Sequence, residues 1–170
     1  MLSLYAGLRI GEVCALRWNN IDFKNHIITV DSTIIRIKNE NNKWIYKIGP
    51  PKTTHSKRDI PITDNLYQLL TAEFSNKKSP YIVSSQESFL NIRTFEYRYH
   101  KLLNDADLYP HHFHTFRHTF ATRCIESGVD NKTLSEILGH SSVSFTLNTY
   151  VHPFFQEKCI QMEKLNNLTG

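Results

Sequence analysis

In this sequence, the side chains with the most specific chemistry belong to two arginines and a tyrosine. Arg9 lies between two glycines in Gly7–Glu12, and Arg117 follows His114 by three positions. A guanidinium group binds two oxygens of one phosphate in a planar fork, so two arginines can neutralise a phosphodiester without a metal ion. The hydroxyl of Tyr150 can attack phosphorus when a nearby group accepts its proton. These residue types therefore favour phosphoryl transfer.

Two histidines are spaced so that they could bind the phosphate or accept the proton of the tyrosine. His114 and Arg117 project to the same side if they lie in the first turn of a helix. His140 follows Leu138 and Gly139 at a predicted helix end, and Tyr150 comes ten residues later. The helix macrodipole at such an end favours the charged imidazolium. Spacing by itself leaves the arrangement of these groups open.

His114 and His118 also have the i, i+4 spacing of a metal site. Zinc hydrolases with this spacing carry a glutamate directly after the first histidine, and here that residue is Thr115. Arg117 between the two ligands would repel a cation. The sequence therefore predicts a site without a metal ion, and a histidine-metal hydrolase stays open as an alternative.

The positive charge is concentrated in one stretch of the chain. The 170 residues have a net charge of +4, whereas residues 36–58 contain seven basic residues against Glu40. The functional interpretation is a basic hairpin laid against a phosphate backbone, with Lys47, Lys57 and Arg58 as candidate DNA contacts. The alternative is a solvated hairpin whose lysines protect an edge strand.

The composition excludes several classes of protein. With 40% hydrophobic and 12% aromatic residues the chain can bury a core, which argues against a disordered protein. No stretch is long and apolar enough to span a bilayer. The three cysteines are far apart and form no CxxC pair, which argues against a disulfide framework and a cysteine-bound zinc ion. A reducing cytoplasm is the compartment that these features predict.

The elements that must position these groups follow from the apolar periodicity. Residues 2–18 have a helical pattern interrupted at Gly7. β-Branched runs predict antiparallel strands at 26–30, 33–37, 43–48 and 57–62. Helical patterns follow at about 64–74, 89–106, 115–127, 131–138, 142–150 and 154–166. The predicted fold class is α+β, mainly α, with a small antiparallel three-stranded sheet.

Taken in order, the motifs resemble the catalytic domain of the tyrosine recombinase (phage integrase) family. The matching segments are Gly7–Glu12 with Leu16-Arg17-Trp18 and Ile21-Asp22, Pro51-Lys52-Thr53, Arg58–Ile62, His114–Thr122, Leu138–His140 and Tyr150. The resemblance runs along nearly the whole chain. Within the family, the motifs are most similar to those of the integrases of phages and conjugative transposons.

The resemblance implies a role for each matching position. The catalytic set that it implies is Arg9, Lys52, His114, Arg117, His140 and Tyr150. In the family the two arginines clamp the scissile phosphate, the second histidine hydrogen-bonds it, and the first histidine exchanges the proton of the tyrosine step. The tyrosine attack leaves a 3′-phosphotyrosine link and a free 5′-hydroxyl. No metal ion, ATP or other cofactor is implied.

The lysine that protonates the leaving 5′ oxygen is assigned by its context. Pro51-Lys52-Thr53 matches the family pattern, although Lys47 and Lys57 lie five positions to either side. Glu12 and Asp22 also match, and we interpret them as structural residues around Arg9. His118 is interpreted as a packing residue of its helix.

The resemblance also implies partners and a larger protein. Residues 1–170 correspond to the C-terminal catalytic domain, and we expect core-binding and arm-binding domains to precede it in the full-length enzyme. The implied partner is double-stranded DNA at attachment or recombination sites. The full-length enzyme is expected to form a homotetramer on DNA, and the fragment a monomer, in a cytoplasm of bacterial or phage origin and away from membranes. Residues 154–166 are expected to dock on a neighbouring protomer or on their own domain.

Two further alternatives remain at this point. A type IB topoisomerase-like enzyme would relax DNA with the same tyrosine chemistry and without a second duplex. A catalytically silent DNA-binding domain would keep the fold and the basic surface.

Overall fold

The computed structural model describes residues 1–51, 53–150 and 162–163. Its helices are α1 (Leu2–Ala6), α2 (Ile10–Ala15), α3 (Asp64–Ser75), α4 (Ile92–Asp105), α5 (His114–Glu126), α6 (Asn131–Leu138) and α7 (Val143–Tyr150). Its strands are β1 (Ile21–Asp22), β2 (Ile27–Val30), β3 (Thr33–Lys38), β4 (Trp44–Gly49) and β5 (Arg58–Pro61). Within the described residues, no helix has the length and apolar character needed to cross a membrane.

The first predicted helix is two helices separated at Gly7. This glycine ends α1 in the left-handed conformation, with φ of 65°. A Cβ atom there would lie 2.7 Å from the Phe120 ring, so both the backbone conformation and the close packing require glycine. The break places Arg9 at the N-cap of α2 instead of inside a helix. The expectation of a helix interior around Arg9 was therefore wrong.

The strands form two antiparallel sheets. β1, β2 and β5 make the predicted three-stranded sheet, in which Ile28 lies opposite Ile21 on one side and Ile60 on the other. β3 and β4 make a separate two-stranded hairpin, with Ile34 opposite Ile48. The periodicity predicted β2, β3, β4 and β5 but not the two-residue strand β1, and it carried no information about which strands pair.

The later helices begin and end close to the predicted residues. Asp130 accepts hydrogen bonds from two backbone N–H groups at the start of α6, and Gly139 ends that helix with φ of 64°. The Ser142 hydroxyl accepts the N–H of Phe145 at the start of α7. The predicted helix at 154–166 lies outside the described residues, apart from 162–163.

Two apolar cores meet at the candidate site. Residues of α1, α2, the three-stranded sheet and α3, such as Val13, Ile28 and Leu66, form the larger core. Residues of α5 and α6, such as Ala121 and Leu134, form a smaller one. Helix α1 packs against α5, and β5 packs against α6, so the polar groups at this junction come from distant parts of the sequence.

Candidate active site

Arg9 is held in place by the helix that it caps. Its backbone N–H donates to Glu12 Oε2 at 2.8 Å, and its Nη1 donates to Glu12 Oε1 at 2.9 Å. Its Nη2 donates to the Gly139 carbonyl at 3.1 Å, across 130 residues of sequence. The side chain is 35% exposed, so part of the guanidinium remains open to a ligand.

Glu12 is the buried carboxylate that joins two arginines. Its side chain is 3% exposed, and its two oxygens accept from the two terminal nitrogens of Arg58 at 3.0 Å each. Burial acts to raise the pKa of Glu12, but the hydrogen bonds and charges of Arg58 and Arg9 outweigh it and lower the pKa. The carboxylate is therefore ionised at neutral pH, in agreement with the structural role expected for it.

Arg58 lies inside the protein and not on its surface. Its side chain is 6% exposed, and it donates to the Ile137 and Ser56 carbonyls in addition to Glu12. A Cβ atom on Gly139 would lie 3.0 Å from its Nη1, so this glycine also permits a close approach. The prediction of Arg58 as a DNA contact does not fit this geometry, because its donors are already bonded within the fold. We name Arg9, Glu12, Arg58 and Arg117 the ionic cluster.

Arg117 is the most deeply buried member of the ionic cluster, at 1% exposure. Its Nη1 donates to the Gly7 carbonyl, and its Nη2 donates to the Leu138 carbonyl and to His140 Nε2. Burial lowers the pKa of Arg117 to about 10, and the charge of Arg9 acts in the same direction. The group therefore stays charged at neutral pH, with its guanidinium fixed by the break after α1 and by the end of α6.

His140 is neutral in this arrangement. Arginine has no acceptor, so the 3.0 Å contact from Arg117 Nη2 requires an unprotonated Nε2. Nδ1 then carries the hydrogen and donates to Thr146 Oγ1 at 2.8 Å. Burial, followed by the charges of Arg117 and Arg9, lowers the pKa of His140 to about 4. The expectation that the macrodipole favours the charged form was wrong, because burial and neighbouring arginines outweigh it.

Tyr150 lies at the end of α7 among histidine rings. Its ring is stacked parallel to that of His140, with centroids 6.0 Å apart, and contacts the His118 ring at 5.1 Å. His114, the first residue of α5, packs against His118 at 4.8 Å. Burial, His118 and Arg117 lower the pKa of His114, so its imidazole is neutral near pH 7.

A cavity of about 340 Å³ opens beside the ionic cluster. Arg9, Glu12, Thr53, Gly139, His140 and Phe145 are among the residues that line it. Since Arg9 supplies a partly exposed guanidinium to this wall, the chemistry of the cavity suits a phosphate group. Arg9 and His140 thus line one cavity, and Arg117 and Tyr150 contact His140 from behind its wall.

The predicted lysines are placed differently from one another. Lys52 lies outside the described residues, but its neighbours Pro51 and Thr53 both line the cavity. Lys47 is exposed on β4 and Lys57 is exposed just before β5. The lysine assignment therefore stays a prediction.

The metal alternative gains no support from the described part of the chain. There, no group of three or more His, Cys, Asp or Glu side chains is arranged to hold a metal ion. The rings of His114 and His118 pack edge to face. The His118 ring also contacts the Tyr150 ring, and the positive charge of Arg117 acts on His114.

One residue at the site had no place in the predictions. Thr146 is fully buried and bonds His140 from the middle of α7. The only sequence signal was its spacing, because Thr146 precedes Tyr150 by about one helical turn.

The fold and this site define a family of DNA-rearranging enzymes, and the chain belongs to it. The model of the phage integrase family matches residues 1–157, which confirms the resemblance. A tyrosine recombinase XerC-like protein of Caldanaerobacter subterraneus is 34% identical over 99% of this chain and 48% of its own length. The transposase of transposon Tn916 from Enterococcus faecalis is 30% identical over 98% of this chain and 44% of its own length.

Solved structures agree with this assignment. The Tn1549 transposon integrase, solved with a circular intermediate DNA, superposes with a TM-score of 0.76 at 29% identity, covering 96% of this chain and 56% of that one. The XerA recombinase, at 22% identity and a TM-score of 0.68, shares the fold. The mainly helical fold with a small antiparallel sheet is thereby confirmed. The chain spans about half the length of the curated relatives it matches.

Proposed function

We propose that this chain is the catalytic domain of a site-specific DNA recombinase that breaks and rejoins strands through Tyr150. The observation that carries the proposal is the convergence on His140 of side chains from distant parts of the sequence: Arg117 donates to it and the Tyr150 ring is stacked on it. His140 and Arg9 line the same cavity. The family membership and the DNA-bound Tn1549 integrase support the same activity.

In the proposed reaction, the Tyr150 oxygen attacks the scissile phosphorus, and the bond to the 5′ oxygen breaks. Arg9 and Arg117 neutralise the charge that develops on the phosphoryl oxygens. His114 is neutral near pH 7 and can accept the tyrosine proton. Lys52 gives a proton to the leaving 5′ oxygen. Attack by a 5′-hydroxyl of a partner duplex reverses these steps and restores the phosphodiester.

The proposed partner is double-stranded DNA carrying an attachment or recombination site. The neighbours solved with such DNA include the Tn1549 integrase with transposon right end DNA. Exchange of strands between two duplexes needs four active sites, so we propose a tetramer on DNA for the whole protein, in the cytoplasm. Within the whole protein this chain would be the C-terminal domain.

The test is capture of the covalent intermediate. We would incubate the chain with a library of nicked duplexes that share flanks and differ in a randomised central segment. A nick beside the cleaved bond lets the short fragment that carries the new 5′-hydroxyl diffuse away, so the 3′-phosphotyrosine adduct accumulates and survives denaturing electrophoresis. Sequencing the trapped DNA would identify the preferred site.

The Tyr150→Phe variant should form no adduct, because phenylalanine lacks the attacking oxygen. Tyr109→Phe is the matched control, since the Tyr109 side chain is 87% exposed and away from the cavity. We expect the control to retain wild-type adduct formation. An adduct that persists in Tyr150→Phe would refute the assignment of the nucleophile. Relaxation of a plasmid without a preferred site would favour the topoisomerase-like alternative.

A further inference from the structure

His118 is a half-buried, titratable side chain beside the candidate nucleophile, and the reaction described above gives it no role. We propose that His118 is a positioning residue whose ring bridges those of His114 and Tyr150, holds the tyrosine in place for attack, and leaves His114 free to accept the tyrosine proton. The effect on cleavage rests on the proposed function, whereas the contacts among the three rings do not.

The place of His118 follows from helical periodicity. His114 is the first residue of α5 and His118 lies four positions later, so both side chains project from one face of the helix. Their rings pack edge to face, with centroids 4.8 Å apart and planes at 84°. The His118 ring also contacts the Tyr150 ring, with centroids 5.1 Å apart and planes at 60°. His118 therefore connects the start of α5 to the end of α7.

Tyr150 is held by several neighbours, and His118 adds a contact that the others do not supply. The Tyr150 ring packs against the small core that contains Ala121 and Leu138, and it is stacked on His140 at 6.0 Å. The edge-to-face contact with His118 ties the same ring to the side chain next to His114. Such contacts between rings favour one orientation of each ring over others. Loss of this one should therefore misplace the attacking oxygen relative to His114.

The protonation of His114 also depends on its neighbour. Burial lowers the pKa of His114, and the charges of His118, Arg117 and Arg9 lower it further. The two arginines stay charged near neutral pH, so their effect is constant, whereas His118 changes its charge as the pH falls. A proton on one imidazole opposes a proton on the other at this distance. His118 therefore helps to keep His114 neutral, and able to accept a proton, in mildly acidic solution.

The helices packed against α5 bring few other charges to the two rings. Helix α1 contains no acidic or basic side chain. Helix α6 carries Lys132 and Glu136, which are exposed and opposite in charge. Helix α7 presents Tyr150, the proton donor of the proposed step. The coupling that involves His118 can therefore be tested by changing that ring alone.

Histidine NMR of the chain without DNA tests the contacts and the coupling. In the wild type we expect nuclear Overhauser contacts between the ring protons of His118 and Tyr150, and their absence would overturn the proposal without any variant. His118→Phe keeps a ring but removes the second titrating group, so the pKa of His114 should rise. An unchanged titration of His114 in this variant would overturn the coupling.

His100→Phe is the matched control, because it makes the same substitution at an exposed histidine on α4. We expect the control to leave the titration of His114 unchanged. A rise in the pKa of His114 that is the same in the control and in His118→Phe would show that the effect is not local, and it would overturn the proposal.

Single-turnover cleavage of the preferred library duplex tests the positioning role. His118→Ala removes the ring, so cleavage should slow roughly threefold to tenfold at all pH values while DNA affinity changes little. His118→Phe should recover most of the rate at about pH 8. The thermal unfolding midpoints of both variants show whether the fold is retained. Cleavage by a folded His118→Ala at the wild-type rate would overturn the positioning role.

The pH profile of His118→Phe separates this role from simple packing. Because His114 takes up a proton more readily in this variant, the acid limb of its cleavage profile should move to higher pH. A profile that matches the wild type would mean that His118 only packs. If the wild type forms no adduct although the NMR results are as expected, the proposed function is refuted together with the effect on cleavage, and the coupling of the rings stands.

Discussion

The ionic cluster and the β3–β4 hairpin both contain several positively charged side chains, but the charges are buried and paired in the first and exposed in the second. In the ionic cluster, Arg58 and Arg117 are almost fully buried and bonded to a carboxylate or to backbone carbonyls. On the hairpin, Arg36 lies over the Trp44 ring at 4.6 Å, and the indole itself is 55% exposed. The charges of the ionic cluster therefore hold elements of the fold together, whereas those of the hairpin face the solvent.

This difference changes how the positive charge of residues 36–58 is interpreted. It ends at Arg58, whose charge is balanced by Glu12 inside the fold, so that charge is not available to a ligand. The other cations of this stretch that the structure describes are exposed, so they act through water and are screened by salt. A buried charge must be paired because its desolvation is costly, whereas an exposed charge contributes little to stability. The two regions should therefore respond differently to mutation.

The largest effect on cleavage is expected for Arg117→Ala. In the proposed reaction this arginine neutralises charge that develops during transfer, so the cleavage rate should fall roughly a hundredfold to a thousandfold, and DNA affinity should fall less. Single-turnover cleavage and equilibrium binding measure the two quantities. Arg123→Ala, an exposed arginine on the same helix, is the control. Equal losses of binding and cleavage in Arg117→Ala would mean that this residue only positions DNA.

Glu12→Gln should have the largest effect on stability. The substitution keeps the shape but leaves Arg58 without a counter-charge, and breaking a buried pair in this way costs about 3 kcal/mol of unfolding free energy. Urea unfolding at pH 7 measures the loss. Asp59→Asn is the matched control, because it also turns a carboxylate into an amide, but at an exposed position next to Arg58.

The stability difference between wild type and Glu12→Gln should depend on pH. The pKa of Glu12 is lowered from 4.5 by folding, so the carboxylate stabilises the fold above that pH. This contribution is lost as the pH falls through the lowered pKa of the folded state. The two unfolding curves should therefore converge in acid, and a constant difference down to strongly acidic pH would contradict the assigned role of Glu12.

The smallest effect is expected at the exposed cations. Lys57→Ala should leave urea unfolding unchanged and lower DNA affinity modestly, with the salt dependence of binding reduced by about one phosphate contact. Titrations at several salt concentrations measure that slope. Lys132→Ala, an exposed lysine on α6, is the comparison. A large loss of stability in Lys57→Ala would erase the distinction between the two regions.

The sequence predicted the helices and strands well because apolar periodicity reports which side of an element is buried. It also predicted the family, since the order of the motifs and their flanks are specific, and it singled out Arg9 and His140, which line one cavity. Local patterns could not reveal that Arg58 is internal, because its partners Glu12 and Ile137 are 46 and 79 residues away. The neutral state of His140 was hidden for the same reason, since it depends on arginines from other elements.

The most direct test of the proposed nucleophile is to identify the residue that becomes joined to DNA. The trapped adduct would be digested with nuclease and protease, and the nucleotide-bearing peptide sequenced by mass spectrometry. We predict a 3′-phosphonucleotide on the oxygen of Tyr150. A nucleotide attached to any other residue would contradict this assignment.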